Sequence, residues 1–251
     1  MTEAHYRKAP IVEAVIDLRV RFGNEPTIGD LKRVAGTLKG RFPSQEDVHQ
    51  VQMALKIGDI SKKSPASSSL GQRRIGVLMR PGNGQRALQF QQAGFSYSHL
   101  APYTDWSTFR DEAREHWNVY RRHFKPTAVV RYAVRFINRI PLPQGWAGLG
   151  SFISLYPNVP ESLQNSVDRY FMQLQLSQEH VASNAQLMIN SALAEGDQVD
   201  GVSLMLDFDL FAPTDLAVDS EEVWERLDAF RARKNEIFEA CITDQTRNLI
   251  A

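Results

Sequence analysis

Cysteine is nearly absent from this chain. Cys241 stands alone among 251 residues, so it forms no intramolecular disulfide and no multi-cysteine zinc site. That usage fits a reducing cytoplasm. An excess of either charge is missing too. Lys and Arg together number 29, as do Asp and Glu, so no global positive field gathers phosphate polymers. No apolar run approaches the roughly 20 residues that a membrane helix needs. Met1–Lys8 has no apolar core of a signal peptide. No Gly-Lys-Ser/Thr closes a phosphate loop, and no His-Glu-x-x-His marks a zinc helix. These absences predict a cytoplasmic protein without a cofactor, a resident metal or a membrane partner.

What is present is an ordinary globular composition, 43% hydrophobic and 23% charged, enough for a sizeable core. A strand pattern is written twice. Ile16-Asp17-Leu18-Arg19-Val20-Arg21-Phe22 and Val130-Arg131-Tyr132-Ala133-Val134-Arg135-Phe136 both carry Val-Arg-Phe in the same phase. Val20 and Val134 lie 134 − 20 = 114 residues apart. Each copy opens a half that ends in an aromatic helix. We therefore divide the chain into an N-terminal α+β half, 1–125, and a C-terminal α+β half, 126–251, packed as one unit. The fold class expected is α+β: antiparallel sheet with long amphipathic helices, in a duplicated order of strand, excursion, three strands and helix.

Residues 12–22 alternate cleanly, with Ala14, Ile16, Leu18, Val20 and Phe22 on one face. Gly23-Asn24-Glu25-Pro26 ends that strand, and Thr27 caps a short helix through Leu38. Strands are predicted over 48–57, 73–80 and 86–92, with a hairpin at Pro81-Gly82-Asn83-Gly84. Ser61–Ser69 reads as a mobile loop. Thr104 opens a helix whose stripe is Trp106, Phe109, Ala113, Trp117 (or His116), Tyr120 and Phe124. Arg121, Arg122, His123 and Lys125 suit its C-terminal dipole, and Pro126 stops it. The second half predicts strands near 128–140, 167–176, 185–189 and 202–210. Asp219 and Glu222 suggest a capping box for a long helix reaching Leu249.

Three segments carry a family resemblance. They are Tyr6-Arg7-Lys8-Ala9-Pro10-Ile11-Val12-Glu13-Ala14-Val15-Ile16, Arg135-Phe136-Ile137-Asn138-Arg139-Ile140 and Phe238-Glu239-Ala240-Cys241-Ile242-Thr243-Asp244-Gln245-Thr246-Arg247. Together they resemble an uncharacterised, sporadically distributed family of bacterial proteins of about this length. Phe136 stands where that family often has Tyr. The resemblance implies an accessory role, in defence or toxin control, and is silent on chemistry.

The residues themselves offer several sites to weigh. Arg19 and Arg21 share one strand face, as do Arg131, Arg135 and Arg139. Side by side, the two strands would form a basic surface for RNA, a nucleotide or an acidic peptide. Asp207 and Asp209 share a face of another strand, where paired carboxylates can hold magnesium or move protons, as in a metal-dependent nuclease. The simpler reading pairs these aspartates with Arg131 and Arg135 across strands. Glu112, His116 and His123 have spacings that fit a metal on one helix face, and fit amphipathic packing better. Gly145–Gly150 lacks the spacing of a nucleotide loop. Cys241 falls on the apolar side of its helix, as a structural thiol does. The reading favoured is a non-enzymatic binding protein that acts through a protein partner or self-association. An RNA- or nucleotide-directed protein comes second, and a small-molecule sensor with a concave apolar pocket third.

Overall fold

The computed structural model describes residues 6–52, 71–146, 148–163, 167–195 and 201–251. The loop expected at Ser61–Ser69 and the end of the strand expected over 48–57 lie outside them.

Among the described residues nine strands form one antiparallel sheet. The N-terminal half supplies β1 (Ile11–Arg21), β2 (Ser44–Gln52), β3 (Gly71–Arg80), β4 (Arg86–Gln91) and β5 (Gly94–Leu100). The C-terminal half supplies β6 (Ala128–Pro141), β7 (Phe171–Ser177), β8 (Gln186–Glu195) and β9 (Val202–Leu216). Their spatial order is β2-β3-β4-β5-β1-β6-β9-β8-β7. The α+β class read from the sequence is thus the fold observed. In each half the first strand pairs with the last one, β1 with β5 and β6 with β9, and the two first strands pair at the centre. Leu18 faces Tyr132 across that central pair. Their separation, 132 − 18 = 114, equals that of the two Val-Arg-Phe copies, so a local twofold passes between them.

The helices cover one face. α1 (Ile28–Thr37) lies over β3 and β4, α2 (Trp106–Phe124) over β5, and α3 (Glu222–Cys241) over β6 and β9. Thr27 and Asp30 form a capping box that starts α1. Asp105 caps α2 by accepting from the Thr108 N–H at 2.8 Å, one residue later than the Thr104 start expected. The stripe of α2 is buried as its spacing predicts: Trp106, Phe109, Ala113, His116, Trp117 and Tyr120. Each large apolar side chain among them contributes about 1.5–3 kcal/mol through burial. Lys125 ends α2 in the left-handed region, its N–H bonding the Arg121 carbonyl. Gly84, at φ 68°, closes the predicted hairpin with an N–H to the Pro81 carbonyl.

Three local expectations need correction. β5 was not foreseen, yet it is the strand that joins β4 to β1. It can enter because Gly94 has no side chain: a Cβ there would sit 2.4 Å from the Leu18 carbonyl oxygen. The Asp219/Glu222 capping box does not form, and the Ser220 hydroxyl instead accepts from the Glu222 N–H. The C-terminal helix breaks at Ile242, which is extended and bridges Ile153. Thr243 then caps a new helix, α4 (Asp244–Ile250), and Thr243 and Thr246 donate their hydroxyls to the Ser151 and Phe152 carbonyls.

Candidate functional site

The open face of the sheet holds the charged residues singled out in the sequence. β1 and β6 do lie side by side, so Arg19, Arg131 and Arg135 share one surface. Its charges are answered within it. Arg135 donates from Nε and Nη2 to both oxygens of Asp207, at 2.8 and 2.7 Å, and Asn190 adds a third bond at 2.9 Å. That bidentate bond, against some loss from burial, holds the Arg135 guanidinium above its ordinary value. Asp17 gathers Arg131 at 2.9 Å, Arg19 at 3.0 Å and the Ser96 hydroxyl at 2.6 Å. Asp209 lies 3.7 Å from Arg131, and burial pushes its carboxyl above the usual range. Arg131 also stacks 4.6 Å over the Phe211 ring. Arg21 pairs with Asp215 at the exposed strand end, and Arg139 donates to the Glu195 carbonyl. The arrangement is the cross-strand pairing expected of Asp207 and Asp209 with Arg131 and Arg135.

Among the described residues no cluster of His, Cys, Asp and Glu is placed to hold a metal ion. Glu112 and His116 face the core side of α2 while His123 is exposed at its end. Glu112 takes a bidentate bond from Arg86 and a further one from the Tyr97 hydroxyl. His116 packs against Phe42 and Tyr97, and among the described residues its buried Nδ1 has no hydrogen-bond partner. Desolvation, aided by Arg41, pushes it down to about 4. Burial likewise lifts the Cys241 thiol to about 11, so it remains a protonated core group.

A cavity of about 970 Å³ opens on the helix side of the sheet. Phe136 and Asn138 of β6 form its floor, α3 gives Lys234 and Phe238 as a wall, and Trp106 at the start of α2 lies opposite. Tyr6, Pro10 and Ile11 complete it from the segment that enters β1. Two polar clamps hold the walls. Asp228 of α3 receives both the Trp106 indole N–H, at 2.6 Å, and Arg110, at 2.7 Å. At the other end Glu239 receives the Tyr6 hydroxyl at 2.6 Å and Arg247 at 3.0 Å. Burial and the Glu239 carboxylate push the Tyr6 hydroxyl up to about 12. The buried Lys234 ammonium sits 4.1 Å over the Phe136 ring, a cation–π contact on the cavity floor.

None of the residues that the sequence offers as a binding face lines this cavity. Its walls come from segments far apart in the chain, and only aromatic enrichment near the two helix starts hinted at it. Three segments distant in the chain meet there: Tyr6 with Ala9, Pro10 and Ile11, then Phe136 with Asn138, then Phe238 with Glu239. No protein-family model matches the chain, and no curated protein matches it.

Proposed function

We propose that the chain is a non-enzymatic binding protein, and that its site is the cavity between α2, α3 and the central strands. The ligand class is a small amphipathic molecule with an aromatic or aliphatic body and a polar end. The observation that carries this reading is one concave, aromatic-walled space of about 970 Å³, built where distant segments of the chain converge. Trp106, Phe136 and Phe238 offer apolar surface to the body. Arg231, Lys234, Asn235 and Glu236 line the α3 wall beside the polar end. The lining suits holding better than reacting. Tyr6 keeps its proton to about pH 12 and is spent on Glu239. The resemblance adds the wider setting: an accessory factor of bacterial defence or toxin control, acting in the cytoplasm, with a protein partner reading the bound state.

Nucleic acid on the arginine face is the weaker reading. A phosphate there would have to displace carboxylates already bonded to Arg19, Arg131 and Arg135.

The test uses 1-anilinonaphthalene-8-sulfonate, an aromatic anion that brightens on entering apolar sites. The native protein should bind it saturably. Ala232→Trp, on the exposed rim, should fill the cavity and weaken binding about tenfold or more, while circular dichroism stays unchanged. Equal binding by both proteins would remove the cavity from consideration.

A further inference from the structure

The outer edge of the sheet at β7 lacks the features that usually keep a sheet edge monomeric. Natural edges carry charge, proline or a bulge that blocks further pairing. β7 reads Phe-Met-Gln-Leu-Gln-Leu-Ser, with no charge and no proline, and it runs against β8 in unbroken register. The opposite edge, β2, is protected on two of these counts. It carries Glu46 and Asp47, and its register shifts between Val48 and His49. Two large exposed apolar side chains, Phe171 and Leu176, lie on β7 itself. Among the described residues the others are Tyr156, Val159 and Leu163, within the stretch of sequence that runs into β7. Phe171 is 70% exposed. Large apolar groups exposed on an edge strand mark an interaction surface.

The hydrogen-bond phase shows what this edge offers. Gln178 donates to the Ala185 carbonyl, and Leu193 donates to the Tyr170 carbonyl. Even-numbered residues of this strand therefore bond β8, and Phe171, Gln173, Gln175 and Ser177 turn their N–H and C=O groups outward. We propose that the occupant of this edge is β7 of a second copy of the chain, antiparallel about a twofold at Leu174, so that two nine-stranded sheets become one. In that register Gln173 meets Gln175 of the second copy, and Phe171 meets its Ser177. All four outward residues are then satisfied on both chains. A second copy meets itself here without any like-charge contact, because β7 carries no charge at all. The side-chain chain Arg135–Asp207–Asn190–Gln173 also reaches this edge, so Gln173 arrives held in place by Asn190 at 2.7 Å. The surface is separate from the cavity, and either reading can fail without the other.

The test is mass by light scattering over a dilution series, with amide hydrogen exchange alongside. The native protein should run at twice the 28.4 kDa of one chain. Amides of Gln173 and Gln175 should exchange more slowly as concentration rises. Gln173→Lys with Gln175→Lys sets lysines opposite one another on exposed positions and should weaken association by about a hundredfold, with an unchanged thermal midpoint of the monomer. Val48→Lys, at the β2 edge, should leave the dimer intact. A native protein that stays monomeric throughout overturns the proposal. So does a dimer that tolerates the lysine pair, or one that Val48→Lys dissociates.

Discussion

The two faces of the central strands hold the sheet by different physics. On the helix side Ile16, Leu18, Tyr132, Phe136, Leu206 and Phe208 are buried apolar groups, and their contribution scales with area removed from water. On the open side Asp17, Arg19, Arg131, Arg135, Asp207 and Asp209 form an interlocked ladder of ion pairs. The first face tolerates only groups of similar shape. The second tolerates changes made in pairs, because each charge matters chiefly through the partner it would abandon. A basic surface read from one strand alone is therefore incomplete, since the neutralising carboxylates come from β1 and β9.

The largest separation between the faces should appear on truncating the helix side. Phe208→Ala is expected to cost about 4 kcal/mol in urea unfolding, through lost burial and a cavity. A cost comparable to that of a surface change would remove the contrast. Next comes acid. His116, only 1% exposed on the helix side, is held near 4 against an ordinary 6.5. The unfolded chain binds its proton first, so stability should be whole above about pH 6.5 and fall by about 3 kcal/mol as pH drops to 4. In His116→Leu that window should flatten, and stability at neutral pH should not fall, since an unpartnered buried nitrogen is removed. A steeper acid loss in His116→Leu would contradict this. On the open face Arg135→Ala should cost about 2 kcal/mol by stranding Asp207, less than a fully buried pair because Arg135 is half-exposed. Arg135→Met with Asp207→Leu should recover most of it, and a merely additive double variant would show that the pair is not coupled. The smallest effect belongs to Asp209→Asn. Its carboxyl is raised by burial, so its charged form is lost stability at neutral pH and the amide should bring a slight rise in thermal midpoint. The rise should vanish in acid, where the carboxyl is already protonated.

Elements with one buried face were readable from the chain. β1, β6 and β9 show period two, and α2 shows its stripe, because one side of each faces water or charge. β5 hid because nearly all its residues are buried and its polar side is Ser96 and Ser98, small groups set among longer neighbours. Its hairpin from β4 turns on Gln92-Ala93, which carries no Asn-Gly signal. The pairing of Asp207 and Asp209 with arginines was legible from strand parity, whereas the preference of Arg135 for the diagonal Asp207 depends on side-chain reach. A concave apolar pocket was among the expectations, but its walls were illegible. It exists only where residues 6–11, 103–106, 136–138 and 231–239 come together.

The strand order also sets a schedule for synthesis. β1 bonds only β5 and β6, and neither exists until the chain from Phe22 to Ala93 has been made. At about 5–20 residues per second, an emerging β1 waits several seconds with its alternating apolar side uncovered. Once β5 arrives, the N-terminal half closes on itself and leaves one edge of β1 bare. That edge becomes the template on which β6 is laid down, so the later half is assembled against an earlier one already in place.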